Sequence, residues 1–437
     1  MAARLCLLLA FAFLAAGCAS APAREADAGP EAAVLEDSLA AYRSGSRLSN
    51  MEELARFGGT SAELDAWGHY LFADEGSRLV IYDVQDPAAP MQVGEVNGLP
   101  GVLDAKVSDD GDWLFVGEDA EASAAPLGGT GPFTGGFYVV DVSDKSHPKP
   151  VSYLPVGPRR GPHMVFYHQT AAGDELVFGA NADISINRFD RSTGTLTEIS
   201  RYQADLVTAF NRDPQVFDAL YQGWAHDMFV MEDPRDGRTL LYVANWDAGL
   251  RIVDVSDPAR PVELGGWNAF PEGHEGNLHT VSTEWVGDRR ITLGSVEVGF
   301  AVVGGYHYAL GTDRSILYVW DTTDPADVRL LGTWENPDGA PSGRDMVPGE
   351  SVTSTHNVQL EQGRAYLAHY GLGVFVLDVS TPEAQASPRL LGHHRDLGSV
   401  WDVVVADGVL YASGSAGTVA LRFSLDTVGP DGIDSRA

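Results

Sequence analysis

One strand-and-turn phrase recurs along this 437-residue chain, and it constrains the fold more than any other feature. The clearest copy covers residues 240–265, where β-branched and aromatic runs are separated by a glycine and by a Ser-Asp-Pro turn. Such runs, punctuated by Gly, Asp and Pro, are typical of short antiparallel strands joined by tight turns. The Ser, Asp and Pro residues are expected to be structural, because they bond local backbone or fix φ. The phrase returns at residues 79–87, 137–144, 317–325 and 374–382, with degenerate copies at 186–190 and 418–423.

The repeat predicts a closed ring. Each unit, with strands called A to D, can bury its apolar face only against its neighbours. We count seven units from about residue 50, and the last has strands A to C but no fourth. Residues 50–59 have the pattern of the missing strand, and an N-terminal strand that completes the last blade leaves no open sheet edge. The sequence therefore predicts an all-β fold, a seven-bladed β-propeller of four-stranded blades over residues 50–424, followed by a C-terminal tail over residues 425–437.

The recurring strand, as in residues 250–254, resembles the LVIVD repeat, from which a family of proteins takes its name. The resemblance covers residues 50 to about 424. The family is understood as β-propellers of extracytoplasmic proteins, mostly without assigned chemistry. The resemblance therefore implies a repeat protein that acts as a binding or interaction scaffold.

Four histidines occupy one equivalent position, at the start of strand A in four consecutive repeats. Equivalent positions in a closed ring meet near its axis, and clustered imidazoles suit Fe, Cu or Zn. The sequence thus predicts a possible metal-binding site, with one transition metal held by His163, His226, His279 and His356. The alternative is structural, because a polar residue at the start of the inner strand can tie neighbouring blades by hydrogen bonds to backbone. Asp227 and Asn357 fit that role, and the histidines could share it.

The histidine placement is also similar, at the level of the fold, to two families of propellers that bind metal through His. These are the carotenoid-cleaving oxygenases, which hold Fe(II) on the axis, and the selenium-binding/methanethiol-oxidase proteins. No local motif beyond the histidine placement matches, so the similarity rests on fold alone. It implies an oxidation that uses O₂ as the reaction.

Four predicted insertions lie on one face of the ring. In a blade, B–C and D–A connections share a face, and the long loops over residues 120–134, 204–223, 299–314 and 336–354 are all of these two kinds. Long loops on a rigid scaffold are where binding and catalysis are usually found. Strand A begins at this face and strand B ends there, with carboxylates that could orient the imidazoles or merely cap turns. These candidates behind the metal are Glu118, Asp183, Asp247 and Glu297, whereas His393 and His394, in a strand D, are expected at the surface.

The N-terminus has the features of an export signal. Residues 1–17 combine Arg4 with an apolar run that is too short for a permanent membrane span. The run ends in Leu-Ala-Ala-Gly before Cys18 and resembles the signal peptide of a bacterial lipoprotein, in which the cysteine is lipidated. The resemblance, with Ala19 after the cysteine, implies a lipoprotein of the cell outer membrane. A plain secretory signal with a chance cysteine is the alternative.

Residues 18–49 are predicted to be the lipidated Cys18 and a flexible tether, since residues 19–35 are rich in Ala, Glu, Pro and Asp. One short helix is expected over residues 36–48. The net charge of −32 disfavours nucleic acid, whose phosphates it repels. The expected partners are therefore the membrane, through the lipid anchor, and an envelope protein, saccharide or small molecule, with the chain as a monomer.

Two functions follow from these features. The first is a lipid-anchored scaffold of the cell envelope that binds its partner through the insertion-bearing face. The alternative is a metal-dependent oxidoreductase with the His-ligated metal on the axis. The sequence does not contain a Gly-rich phosphate loop, a CxxC pair or a serine-nucleophile elbow.

Overall fold

Seven antiparallel sheets, six with four strands in the order A-B-C-D and one with a fifth strand added at its outer edge, form a ring in the computed structural model. Strand A of each sheet contacts strand A of the next, and the seventh contacts the first, so these strands surround the axis in a closed cycle. The seven-bladed propeller predicted from the repeats is confirmed. The structure describes residues 38–99, 102–119, 135–156, 161–205, 224–271, 276–297, 300–303, 306–309, 316–336 and 354–425.

The strands of each blade follow chain order from the axis outward. Blades 1 and 2 comprise Leu64–Trp67, Tyr70–Asp74, Arg78–Asp83, Met91–Asn97, and then Val102–Val107, Trp113–Glu118, Gly136–Asp141, Lys149–Pro155. Blades 3 and 4 comprise Met164–Gln169, Glu175–Asn181, Asp183–Asp190, Thr195–Tyr202, and then Asp227–Glu232, Thr239–Ala244, Leu250–Asp254, Val262–Trp267. Blade 5 comprises Leu278–Val286, Arg289–Val296, Ile316–Asp321 and Arg329–Glu335, with a hairpin of Phe300–Val303 and Tyr306–Ala309 between its strands B and C. Blade 6 comprises Thr355–Glu361, Arg364–His369, Gly373–Asp378 and Arg389–His394, with a short helix at Pro382–Ala386 between C and D.

Blade 7 is completed from the other end of the chain. Its strands A to C are Val400–Ala406, Val409–Gly414 and Gly417–Phe423, and its strand D is Met51–Phe57. The predicted closure by the N-terminal strand is therefore confirmed. Met51 is buried in the core between blades 6 and 7, so closure also buries apolar surface.

Blade 6 carries a fifth strand that the sequence analysis did not predict. Leu48–Ser49 pairs with the outer edge of the blade, opposite His394 and His393. The preceding residues 38–43 are helical, and Tyr42, only 2% exposed, packs against Phe375. The region assigned to a flexible tether over residues 18–49 is therefore packed on blade 6 from residue 38 onward.

This segment overturns one expectation. His393 and His394, expected at the surface, are both fully buried, because the added strand and helix cover the edge on which they lie. His394 Nε2 lies 3.2 Å from a carboxylate oxygen of Glu53, and His393 Nε2 donates to the Ser46 carbonyl at 3.0 Å.

The core lies between adjacent blades. Facing strands of blades 3 and 4 bury Ile184, Ile186, Leu241 and Val243 in one apolar cluster, and similar clusters fill the other seams. The Ser-Asp-Pro turns are structural, as expected: Asp254 accepts from the backbone N–H of Ser256 at 2.9 Å. Among the described residues, no helix is long and apolar enough to cross a membrane.

Several predicted segments lie outside the described residues. These are residues 1–17, Cys18, most of the four insertions and the tail beyond residue 425.

Candidate functional site

The four histidines lie side by side at the insertion-bearing face. Adjacent ring centroids are 4.5 Å apart for His163 and His226, and 4.0 Å apart both for His226 and His279 and for His279 and His356. The last three residues are 6%, 1% and 8% exposed, respectively. The His163 side chain is 29% exposed and lies at the open end of the row. The ring geometry thus brings together all four residues that the sequence selected.

Local backbone irregularities help to aim two of these rings. In blades 5 and 6 the pairing of strands A and B shifts register between Leu278 and Thr280 and between Thr355 and Val358. Such β-bulges turn a side chain away from its regular place in the pleat. His279 lies within the first register shift and His356 lies within the second. The side chains of both residues therefore depart from the strict up-and-down alternation of a regular strand.

Backbone carbonyls of the following blade orient two imidazoles. His226 donates through Nδ1 to the carbonyl oxygen of His279 at 3.1 Å, and His356 donates through Nδ1 to the carbonyl oxygen of Trp401. A carbonyl oxygen can only accept, so both neutral rings carry their proton on Nδ1 and a lone pair on Nε2. These two histidines therefore tie neighbouring blades, as the structural alternative supposed. The same bonds leave Nε2 of each ring available as a ligand.

His279 has the same tautomer, and a chain of hydrogen bonds through Thr280 and Asn357 fixes it. Its Nδ1 lies 2.8 Å from Thr280 Oγ1, and that hydroxyl donates to Asn357 Oδ1 at 2.9 Å. The amide of Asn357 is itself oriented, because its nitrogen donates to Glu63 at 2.7 Å and to Asp402 at 2.8 Å. With its own proton engaged, the Thr280 hydroxyl accepts from Nδ1–H, and His279 Nε2 bears a lone pair.

His163 is oriented by a carboxylate that the sequence analysis missed. Its Nδ1 lies 3.1 Å from Asp119 Oδ2. The sequence prediction named the adjacent Glu118, which instead accepts from the phenol of Tyr153 at 2.5 Å. The two acidic residues are consecutive at the end of strand B, and no periodic pattern distinguishes which one faces the axis.

Glu297, one of the predicted carboxylates, reaches the row of imidazoles. Its Oε2 lies 3.6 Å from His279 Nε2, and its Oε1 accepts from the Tyr370 phenol at 2.9 Å. One ligand atom from each of His226, His279 and Glu297 lies within 4.8 Å of the other two. The sequence predicts Glu297 behind the metal ligands, whereas this convergence makes it one of the candidate ligands.

The other two predicted carboxylates have backbone or arginine contacts. Asp183 accepts from Arg201 at 2.9 Å, and Asp247 accepts from the N–H of Asn277 at 3.3 Å. The second of these bonds joins the B–C connection of blade 4 to the residue before strand A of blade 5, and so it stabilises the edge of the site.

Burial controls protonation at this site. It lowers the pKa of His226 and of His279 well below the usual range, with a further lowering from neighbouring imidazoles. Burial also lowers the pKa of His356 to about 3, opposed by its bond to the Trp401 carbonyl. These three rings are therefore neutral at physiological pH, which is the form that binds metals. Burial raises the pKa of Glu297 to about 7, while the Tyr370 hydrogen bond acts in the opposite direction.

Aromatic side chains line the row of four imidazoles. The Trp246 indole stacks on His226 with 5.0 Å between ring centroids, and Tyr370 meets His356 edge-on at 4.7 Å. Trp246 has a φ of 41°, in the left-handed region that a bulky residue rarely adopts. A strained residue is retained where surrounding structure holds it, often beside a functional site.

Comparison with known proteins agrees with the repeat and the ring. The family model for the LVIVD repeat matches residues 58–98, 131–153 and 240–268, which fall in blades 1, 2 and 4. Together with the seven-bladed ring, this supports the resemblance found in the sequence. The chain contains LVIVD repeats and folds as a β-propeller. A search of curated proteins gave no match to this LVIVD propeller.

Solved structures similar to the LVIVD propeller share only its fold. Saccharomyces cerevisiae Sqt1 aligns with a TM-score of 0.54 at 10% identity, over 85% of this chain and 98% of that chain. U3-55K aligns with a TM-score of 0.54 at 9% identity, over 85% and 97% of the respective chains. The WD40 propeller domain of Doa1 aligns with a TM-score of 0.53 at 11% identity, over 85% and 96%.

Proposed function

We propose that this LVIVD propeller binds one transition-metal ion at the insertion-bearing end of its axis, through His226, His279 and Glu297. The observation that carries the proposal is the mutual approach of their ligand atoms, all within 4.8 Å. Nitrogen and oxygen ligands of a tetrahedral ion at about 2.1 Å lie roughly 3.4 Å apart. The 3.6 Å between His279 Nε2 and Glu297 Oε2 is close to that spacing.

The donor chemistry fits a transition metal. Both imidazoles are neutral, and both have Nδ1 occupied by a hydrogen bond, which is how proteins commonly orient a metal-binding ring. Imidazole with one carboxylate suits Fe, Zn or Cu better than Mg or Ca. His163 lies beside His226, and His356 lies beside His279. The alternative is that all four histidines, as predicted from the sequence, hold the metal.

The wider role that we propose is a binding scaffold of the cell envelope. A repeat propeller fits a binding role, and this one is anchored, in our proposal, as an outer-membrane lipoprotein through Cys18. The partner, an envelope protein, a saccharide or a small molecule, would dock on the insertion-bearing face. A metal ion held there by His226, His279 and Glu297 would have a coordination position left for an oxygen donor of the partner.

A second candidate function is an oxidoreductase. Two histidines and one carboxylate with open positions are the ligand set of non-haem Fe(II) oxygenases, and this donor set favours O₂-dependent oxidation. When bound, iron would supply the redox chemistry. The chain's own residues would hold it, while Trp246 and Tyr370 exclude water from one side of the imidazole row. Oxygen uptake by the Fe(II)-loaded protein, compared with its Glu297→Gln variant, tests this candidate.

Elemental analysis of the purified protein tests the metal site. We expect about one Fe, Cu or Zn per chain, and a loss of affinity of about 10-fold or more in Glu297→Gln and in His279→Ala. His147→Ala is the matched control, because that imidazole is 75% exposed and lies in a C–D turn. A protein that takes up no metal on titration, while the variants fold normally, would leave the scaffold role without a metal. Loss of metal in His163→Ala but not in Glu297→Gln would favour the four-histidine set.

A further inference from the structure

A second candidate site lies on the propeller axis, on the side of the histidines that is away from the insertion-bearing face. A cavity of about 450 Å³ is lined by strand A of all seven blades. Its lining extends to Asp109, in the A–B turn of blade 2, so it reaches toward the face opposite to the insertions. The volume is in the range of small-molecule sites, which is about 300–1,000 Å³.

The inner end of this axial cavity has an excess of carboxyl groups. Glu63, Asp65, Asp227 and Asp402 line it, and Lys106 is the only basic residue among its lining residues. That lysine is already paired, since its Nζ lies 2.8 Å from Asp104 Oδ1. Carboxylates gathered without a matching cation attract one, and burial strengthens the attraction.

Three of these four carboxyl groups at the inner end have structural hydrogen bonds. Asp65 accepts from the N–H of Val107 at 2.7 Å, and Asp402 accepts from the N–H of Leu64 at 2.8 Å. Glu63 accepts from the Asn357 amide at 2.7 Å. The first two bonds join neighbouring blades, the third joins blade 6 to the start of blade 1, and together they account for the presence of the three groups.

Asp227 is different. It is 7% exposed and lines the cavity, yet within the described residues no other side chain and no N–H of another strand donates to its carboxylate. Its carboxylate has a hydrogen bond from the N–H of the next residue, Met228. A buried carboxylate with only this local donor is costly. A ligand with a positive charge would satisfy it.

The walls between the acidic end and the mouth are aromatic. Trp67, Phe166, Tyr167 and Phe229 line the cavity, and the rings of Phe166 and Phe229 are 5.2 Å apart. Aromatic faces attract organic cations and pack against methylene groups. A bare metal ion would leave these walls and most of the volume without contacts.

We propose that the axial cavity binds a small linear diamine, with one ammonium group at Asp227 and the methylene chain along the aromatic walls. The second ammonium group points along the cavity in the direction of Asp109 and meets the aromatic faces on the way to the mouth. The overall charge of −32 favours the approach of such a dication. This site is separate from the proposed metal centre, and either one can exist without the other.

Isothermal titration with 1,4-diaminobutane tests the proposal. We expect one binding site per chain, and at least a 10-fold weaker affinity in Asp227→Asn. The control Glu52→Gln, which changes an exposed carboxylate on strand D of blade 7, should bind as the wild type does. The neutral analogue 1,4-butanediol should give no binding. His279→Ala should bind the diamine normally, so that failure of the metal site and failure of this site are distinguishable.

Phe229→Leu provides a second variant if Asp227→Asn does not fold, because Phe229 is only half-buried. It should weaken diamine binding several-fold by removing an aromatic wall. Absence of binding heat with 1,4-diaminobutane would identify the cavity as a water-filled channel and overturn the proposal. Equal affinity in wild type, Asp227→Asn and Phe229→Leu would do the same, and so would full displacement of the diamine by equimolar Mg²⁺.

Discussion

Met51, at the start of the N-terminal strand, lies directly opposite Phe423, at the end of the last strand of the ring. The pairing continues to Phe57 and Thr418, so one strand from the beginning of the propeller forms the outer edge of blade 7. Because this pairing joins the two ends of the domain, it forms only when the ring is complete. The closure converts an open stack of repeats into a cooperative unit.

Deletion of residues 50–59 should destabilise the propeller and cause aggregation, because strand C of blade 7 would become an exposed edge. Size-exclusion chromatography and thermal unfolding measure the two effects. The milder variant Met51→Ala, at a residue 5% exposed, should cost about 2 kcal/mol or more while leaving the protein monomeric. A deletion variant that remains monomeric with an unchanged Tm would contradict the role of this strand.

Asp104→Ala should be strongly destabilising. The fully buried Asp104 carboxylate accepts from the N–H of Val165 in the next blade at 2.6 Å and pairs with Lys106. Removing it leaves the partly buried Lys106 ammonium group without this ion pair and the buried Val165 N–H without its acceptor, and the two losses together cost about 3 kcal/mol. Adding Lys106→Met to Asp104→Ala should recover part of the loss in urea unfolding. If the double variant is no more stable than the single one, the ion pair is not the cause.

Asp74 gives a prediction about pH. This residue is 2% exposed, and burial raises its pKa from the ordinary 3.8 to about 8, opposed by a hydrogen bond from the N–H of Gly76. The folded protein therefore holds a proton that the unfolded chain releases between about pH 4 and pH 8. This group's contribution to stability is present below pH 4 and is lost as the pH rises toward 8.

Asp74→Asn should remove that dependence, because the amide oxygen keeps the bond to Gly76 without a charge. We expect the variant to gain on the order of 1 kcal/mol or more relative to wild type at pH 8, and little at pH 4. Unfolding at both pH values gives the difference. A gain of equal size at the two values would show that the effect is not due to titration of Asp74.

Cys18→Ser tests the anchor, which lies outside the described residues. If the cysteine carries the lipid, the variant should move from the membrane fraction to the soluble periplasmic or secreted fraction. Fractionation followed by immunoblotting measures this. The variant should retain the wild-type Tm, since the propeller begins at Met51. Retention in the membrane fraction would contradict the lipoprotein prediction.

The repeat predicted the seven blades, the register of strand A and the closing strand, because side-chain periodicity and turn chemistry are local properties that recur with each unit. It also predicted that four histidines share one position, and equivalent positions in a ring meet at the axis. These conclusions required no knowledge of individual contacts.

The tertiary structure alone decided which acidic residues reach the imidazoles. Asp119 orients His163 although its neighbour Glu118 has the same charge, and Glu297 lies among the candidate ligands. Bulges and B–C connections set these directions, and they depend on how several blades pack together. For the same reason, His393 and His394 are buried by a segment more than three hundred residues earlier in the chain. Periodicity determines which positions are equivalent, whereas contacts between distant segments determine what each side chain meets.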